Sequence, residues 1–184
     1  MNSRYLKIII ILILPFYLYG CASIARRIDE KREIREKRIE KGYENMKKLA
    51  HSGLYEFKAD RAYSSNYSSM DITGSYYYLI INYYDVEAFL PYYGTRYMSD
   101  PHNTGGIRIN GKLKKLMIEE SDSRHRVRVK FSVSSNSETF LINLDMGPSG
   151  EAMLTIASSK RSTITYMGTV SETETETEEE EDQK

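Results

Sequence analysis

Apolar and polar residues alternate along most of the chain between residues 53 and 170. A period of two places successive side chains on opposite faces of an extended chain, so each such run predicts a half-buried β-strand. The clearest run covers residues 126–133, where every second residue is valine or phenylalanine and the others are arginine, lysine or serine. The other alternating runs cover residues 54–60, 107–109, 112–121, 138–145, 151–158 and 162–170, and residues 75–85 form a further strand-like run.

Turn residues separate these runs. Asn110-Gly111 is typical of a two-residue hairpin and predicts a turn between two strands. Gly147-Pro148-Ser149-Gly150 predicts another turn, and the irregular run 112–121 predicts a β-bulge. About eight short strands with close connections favour a mainly β fold. We therefore expect a single antiparallel β-barrel or sandwich, a lipocalin-like barrel included, preceded by one charged N-terminal helix.

The run from Ser75 to Asp85 departs from alternation, because both of its faces are apolar or aromatic. A strand of this kind is expected to be covered on both sides or to line a cavity. The favoured interpretation is that a docked helix covers the second face.

Residues 26–48 predict that helix. They contain ten basic and six acidic residues, no proline and a single glycine, Gly42. Only the later part has an apolar stripe, so the first half is expected to be solvated and the second half to dock on the β domain. A spacer is the favoured role, and contact of the basic residues with anionic lipid is the alternative. The stripe comprises Ile39, Tyr43, Met46, Leu49 and Ala50.

The N-terminus has the pattern of a secretory signal. Arg4 and Lys7 precede an uncharged apolar run, residues 8–19, that is too short to span a bilayer as a helix. Leu18-Tyr19-Gly20-Cys21 follows and resembles the bacterial lipobox, although Tyr19 is bulkier than the residue usual there. Cys21 is the only cysteine of the chain and is predicted to be lipidated. The alternatives are a plain secretory signal with an incidental cysteine, or a buried thiol.

A bacterial lipoprotein cysteine carries two or three acyl chains, such as palmitate, which is enough for a lasting membrane anchor. We therefore expect a lipid-anchored protein of the bacterial cell envelope, in the outer membrane. The predicted organisation is a lipoprotein signal peptide at 1–20, the lipidated cysteine and charged helical spacer at 21–52, the antiparallel β domain at 53–170 and a disordered acidic tail at 171–184.

Charge does not indicate a nucleic-acid partner. The complete chain is formally neutral, and its tail holds eight acidic residues and one basic residue. A basic stripe runs along the β domain, but an exported protein rarely meets nucleic acid. A sharper hypothesis is that the acidic tail folds back on this stripe, which comprises Lys112, Lys114, Lys115, Arg124, Arg126, Arg128 and Lys130.

Catalytic and metal-binding patterns are absent from the sequence. His51, His102 and His125 lack the spacing of metal ligands, and no nucleophile elbow or phosphate-binding loop occurs. Nothing selects a catalytic pair from the scattered carboxylates. We therefore expect a non-enzymatic protein without a cofactor. The carboxylates considered are Asp71, Asp85, Glu87 and Asp100.

The best binding candidate is the segment that follows Leu90. Its rings, with Arg96 nearby, could stack on a sugar or hold an anionic group. The favoured alternative is that Tyr92 and Tyr97 pack at the rim of a barrel while Pro91 and Gly94 shape the turn. The candidate contact residues for a ligand or partner are Tyr92, Tyr93, Arg96 and Tyr97.

Five segments of the chain form a further pattern: residues 52–57, 59–62, 90–97, 105–107 and 164–168. Together they resemble an uncharacterised family of Bacteroidetes lipoproteins, the domain of unknown function number four-two-five-one. The resemblance implies a lipoprotein signal and a mostly β domain, and it brings no assigned activity or functional residues.

Two functions fit the sequence. The favoured one is a membrane-anchored, non-catalytic structural or protein-interaction module that meets an envelope protein. The alternative is a lipocalin-like protein that binds a small ligand past Tyr92 and Arg96. A cavity inside the domain would favour the ligand, and a filled interior would favour the interaction module.

Overall fold

The computed structural model describes residues 3–64, 69–97 and 105–173, with side chains from residue 27 onward. Internal contacts divide the chain into two units, Met1–Glu40 and Lys41–Lys184. Cys21 and the tail beyond residue 173 fall outside the described side chains, as do His102 and Asp100. Within the described part of the chain, no helix is both long and apolar enough to cross a membrane.

One α-helix, nine strands and a short 3-10 helix, Asp122–Arg124, make up the regular structure of the described residues. The helix α1 spans Ser3–Ser52. The strands are β1 Leu54–Ser64, β2 Ser69–Asp71, β3 Tyr78–Asn82, β4 Asp85–Leu90, β5 Ile107–Ser121, β6 Arg126–Ser135, β7 Glu138–Met146, β8 Glu151–Ser158 and β9 Ile164–Glu172.

Eight of these strands close into an antiparallel barrel. Each strand from β3 to β8 pairs with the next along the chain, and β1 pairs with β3 on one side and with β9 on the other. The extra strand β2 pairs with the later part of β1, beyond the residues that β3 occupies. The mainly β prediction is confirmed, and the closure of β1 on β9 makes the domain a barrel rather than a sandwich.

Alternation along the strands fills the barrel. In β6 every second residue, from Val127 to Val133, is buried and faces inward. The inward-facing side chains of the other strands join them in one packed apolar cluster among the described residues. Burial of this surface contributes roughly 25 cal/mol per Å² of apolar area and is the main stabilising term of the fold.

The last turns of α1 cover one end of the barrel. Tyr43, Leu49 and Ala50 are buried in the same apolar cluster as the strands, as the stripe predicts. The Tyr43 hydroxyl donates a hydrogen bond to Asp122 Oδ1 at 2.8 Å, and burial together with that bond raises the pKa of Tyr43 to about 12. The side chains of residues 27–38, in the other unit, are all exposed.

The prediction of a hairpin turn at Asn110-Gly111 is wrong. Both residues lie inside β5, where Gly111 pairs with Val86 of β4. A Cβ atom at Gly111 would lie 2.7 Å from the Ser134 carbonyl oxygen, so this glycine permits a close approach of backbones instead of a turn. The predicted turn at Gly147–Gly150 and the predicted bulge are both confirmed; the bulge lies between Lys114 and Met117.

The interpretation of residues 75–85 as one strand covered on both faces is also wrong. A two-residue turn at Tyr83 and Tyr84 joins β3 to β4, and both tyrosines are exposed. Leu79 and Ile81 face the core, whereas Tyr76 lies outside β3 and is exposed. The additional tyrosines of this run therefore lie in the turn after β3 and in the segment before β3, and not on a second buried face of the strand.

Candidate functional site

The rim segment, residues 91–97, crosses the barrel end opposite the helix. It follows β4 and lies against the connection between β8 and β9. The Tyr97 amide donates to the Lys160 carbonyl at 2.9 Å, and the Ser162 amide donates to the Thr95 carbonyl at 2.9 Å. These bonds form a short antiparallel bridge that fixes the segment on the barrel.

Tyr92 holds the rim segment in place. Its hydroxyl donates to the Thr95 carbonyl at 2.7 Å and lies 3.0 Å from the Ser162 hydroxyl. A Cβ atom at Gly94 would lie 2.5 Å from both hydroxyl oxygens, so glycine is required for this turn. The packing role considered for Tyr92 at the barrel rim therefore agrees with its contacts.

A buried ion pair lies beneath the segment. The side chains of Arg161 and Glu138 are 6% and 7% exposed. Arg161 Nε and Nη2 donate to the two carboxylate oxygens of Glu138 at 2.9 and 2.7 Å, and Nη1 donates to the Gly106 carbonyl at 3.0 Å. The guanidinium carbon also lies 5.1 Å from the Tyr92 ring centroid. One arginine thus joins β7, the start of β5 and the rim segment.

Electrostatics at this end favour the ionised pair. Burial alone would raise the pKa of the Glu138 carboxyl, but hydrogen bonds from Arg161 and Ser158 outweigh it and hold the pKa below its usual value of 4.5. Nearby, the buried Tyr166 hydroxyl donates to the Pro91 carbonyl at 2.6 Å, and burial raises the pKa of Tyr166. Fully bonded groups of this kind make the barrel end rigid.

The other three candidate contact residues are exposed. Tyr93 is 43% and Tyr97 64% exposed, and Arg96 extends from the bridge with its guanidinium carbon 5.8 Å from the Tyr92 ring centroid. Partial burial raises the pKa of Tyr93, with the nearby Tyr77 adding to the shift. The structure therefore places the four predicted residues together, with one holding the segment and three facing solvent.

Sequence reasoning missed Arg161, Glu138 and Ser162. Arg161 and Glu138 are separated by 23 residues and stand in polar surroundings, where charged residues are usually solvated. No local pattern in the sequence distinguishes these two residues from ordinary solvated charged residues. Only the topology, which brings the start of β7 beside the connection after β8, makes them partners.

Most of the predicted basic stripe is neutralised. Arg126 and Arg128 both contact the buried carboxylate of Asp145, the latter through Nη2 at 2.8 Å. Lys130 pairs with Glu119 at 2.7 Å, and Arg128 shares that carboxylate at 3.6 Å. Arg126, Arg128 and Lys130 thus belong to one interlocked surface network. The acidic tail lies beyond the described residues, so its docking on the stripe stays a prediction.

Asp71, Asp85 and Glu87, the described carboxylates considered for catalysis, each have another partner; Asp100 lies outside the described residues. Asp85 pairs with Lys112 at 2.6 Å, Glu87 accepts a hydrogen bond from Tyr78 at 2.6 Å, and Asp71 accepts one from the Thr73 amide at 2.9 Å. Within the described ranges, no three histidine, cysteine or acidic side chains gather as metal ligands.

A groove of about 550 Å³ runs along the outer wall of the barrel. Met153 of β8 and Met167 of β9 are cross-strand partners in it and are 39% and 47% exposed. Tyr63 lines one side, and Arg61 and Glu151 contribute charge at its margins. Methionines are adaptable side chains that suit protein-binding surfaces.

Comparisons with known proteins agree with this architecture. A protein of the DUF4251 family from Bacteroides eggerthii DSM 20697, known from its crystal structure, superposes with a TM-score of 0.57 at 16% sequence identity, over 71% of this chain and 87% of that one. No curated protein matches the chain. The family model described as Domain of unknown function (DUF4251) matches residues 37–170, which include the last turns of α1 and nearly all of the barrel. Because that match covers most of the sequence, the chain belongs to the DUF4251 family.

Proposed function

We propose that this protein is a lipid-anchored module of the bacterial cell envelope that binds another protein and catalyses no reaction. Cys21 is its membrane anchor, and the outer wall of the barrel is its contact surface.

The packed barrel interior supports the proposal that another protein binds to the outer wall of the barrel. Inward-facing residues from β1 and β3–β9 form one cluster, and α1 closes one end through Tyr43, Leu49 and Ala50. A partner must therefore be met on the outside, where the groove around Met153 and Met167 offers adaptable apolar surface. The anchor rests on the lipobox-like sequence that ends at Cys21.

Replacing Cys21 with Ala is expected to release the protein from bacterial membranes or to leave its signal uncleaved. The reason is that acylation needs the thiol, and the acyl chains supply the membrane affinity. Intact mass spectrometry of the membrane fraction should detect a diacyl or triacyl adduct on the wild type. An unmodified wild-type mass in the soluble fraction would contradict the anchor.

A photo-reactive residue at position 167 is expected to cross-link to one envelope protein in cells. Position 141 is the matched control, because Leu141 is also exposed and faces outward from β7. Adding Met153→Glu should abolish the product from position 167, since a charge there disrupts the groove. Equal products from both positions, or none from either, would refute binding through this groove.

A small-ligand function at the rim segment is the second candidate. It is favoured by the exposed Tyr93, Arg96 and Tyr97, which a rigid bridge holds beside one another. Acidic oligosaccharides are expected to raise the melting temperature of the wild type and not that of a Tyr97→Ala, Arg96→Ala variant. A thermal-shift screen measures this, and equal shifts in both proteins would exclude the rim.

A further inference from the structure

The turn between β3 and β4 exposes two adjacent aromatic side chains. Tyr83 is 63% and Tyr84 71% exposed. Tyr83 has a φ of 55°, a left-handed conformation that is unfavourable for a bulky side chain and that asparagine or glycine would adopt at lower cost. The fold therefore keeps a tyrosine at this turn despite local backbone strain.

Next to this turn, β5 continues beyond its partner. The pairing of β4 with β5 ends at Lys112, whereas β5 extends to Ser121. The bulge of β5 lies in this extension, and Lys115 there has a φ of 56°. Leu116 and Met117 follow it and are 50% and 55% exposed.

The turn and the extension form one surface. The Leu113 amide donates to the Tyr84 carbonyl at 2.7 Å, so the turn lies level with the start of the extension. Residues 114–117 follow within roughly 14 Å along the strand at about 3.4 Å per residue. We call this surface the tyrosine–lysine patch and define it by Tyr83, Tyr84, Lys114, Lys115, Leu116 and Met117.

The patch carries net positive charge. Lys114 and Lys115 are exposed, and neither forms an ion pair with a residue that the structure describes. The neighbouring carboxylates have other partners: Asp85 pairs with Lys112, Glu119 with Lys130 and Glu120 with His51. Two cations are therefore left beside four exposed aromatic or aliphatic side chains.

Protection of a strand edge explains only part of this arrangement. Lysines and bulges do prevent edge-to-edge association of sheets. That role does not call for exposed Leu116 and Met117 beside the bulge, or for two exposed tyrosines at the turn. A surface that combines tyrosine, aliphatic side chains and lysine has the chemistry of the membrane interface, where rings lie at headgroup depth and lysines meet lipid phosphates.

We propose that the tyrosine–lysine patch binds the surface of an anionic lipid bilayer. The aromatic and aliphatic side chains enter the headgroup region, while Lys114 and Lys115 contact anionic headgroups. This inference goes beyond the proposed function, because it assigns membrane contact to the barrel itself and does not depend on the acylation of Cys21.

Tryptophan reporters test the patch directly, since the chain has no tryptophan of its own. The full-length, unacylated Cys21→Ala chain is mixed with vesicles of phosphatidylglycerol and phosphatidylcholine that contain brominated lipid. Tyr84→Trp reports on the patch, and Tyr97→Trp is the control, because Tyr97 is 64% exposed at the opposite end of the barrel. Quenching of the Tyr84→Trp reporter is expected to exceed that of the Tyr97→Trp control several-fold, with a blue-shifted emission for the Tyr84→Trp reporter alone.

The contribution of charge is measured in the Tyr84→Trp background. Lys114→Gln with Lys115→Gln should reduce the quenching to the control level, as should vesicles of phosphatidylcholine alone or high salt. Arg108→Gln, which removes an exposed charge near the start of β5, should leave it unchanged. Equal quenching of the two reporters, no quenching of either, or quenching indifferent to the lysines and to vesicle charge would overturn the proposal.

Discussion

Replacing Arg161 with Met is expected to lower the free energy of unfolding by about 3–5 kcal/mol. The substitution keeps much of the side-chain volume but leaves the Glu138 carboxylate buried without its charged partner. It also removes the bond to the Gly106 carbonyl and the stacking of the guanidinium on the Tyr92 ring. Urea denaturation followed by circular dichroism measures the loss.

The control for this variant is Lys112→Met. Lys112 and Asp85 form a pair of similar length, but their side chains are 70% and 66% exposed, so the expected loss is below about 1 kcal/mol. A double variant, Arg161→Met with Glu138→Leu, should recover much of the stability, since no buried charge remains. Equal effects of Arg161→Met and Lys112→Met would show that burial of the pair contributes nothing.

Lowering the pH should narrow the difference in the free energy of unfolding between the wild type and the Arg161→Met variant. The pKa of Glu138 in the folded protein is lowered, so the stability that this group contributes is present above its ordinary pKa of 4.5 and is lost as pH falls through the lowered value. Without Arg161, burial raises the pKa of the Glu138 carboxyl instead. Protonation of Glu138 at low pH therefore stabilises the folded variant. Unfolding free energies measured between pH 7 and pH 3 should converge, and a constant difference would contradict the assigned ionisation.

Replacing Gly42 with Ala is expected to destabilise the protein by about 1–3 kcal/mol. Helix propensity alone predicts the opposite sign, because alanine in a helix interior is favoured over glycine by about 1 kcal/mol. In the structure, however, a Cβ atom at Gly42 would lie 2.0 Å from the carbonyl oxygen of Pro148. The helix would have to move away from the turn between β7 and β8, and Tyr43 would lose its buried position.

Asn45→Ala is the matched control, because Asn45 is exposed in the same turns of α1. It should leave stability unchanged or raise it slightly through helix propensity. Thermal unfolding of both variants measures the contrast. If Gly42→Ala stabilises the protein as much as Asn45→Ala, the close contact between the helix and Pro148 is refuted.

The sequence by itself determined the strands that alternate regularly and the inward faces of those strands. In residues 126–133 the alternation of apolar and basic side chains is a local property, and the same residues face the core in β6. The docking face of α1 is also determined by the local sequence, since Tyr43, Leu49 and Ala50 follow helical spacing. The rim segment was also recognisable, because its proline, glycine and tyrosines stand together in the sequence.

Only the tertiary structure decided features that depend on chain segments far apart. Asn110-Gly111 has the local chemistry of a turn but lies in a strand, because pairing with β4 and the approach of Ser134 fix its backbone. Tyr83 has poor turn chemistry but lies in a turn, because the antiparallel pairing of β3 with β4 requires one there.

Closure of the barrel and the buried ion pair have the same origin. Whether strands form a barrel or a sandwich depends on whether β1 meets β9, more than a hundred residues later in the chain. The partnership of Arg161 with Glu138 likewise exists only once β7 and the connection after β8 are adjacent. Local periodicity fixes which face of a strand is buried, whereas partner choice is set by the free energy of the whole packed core.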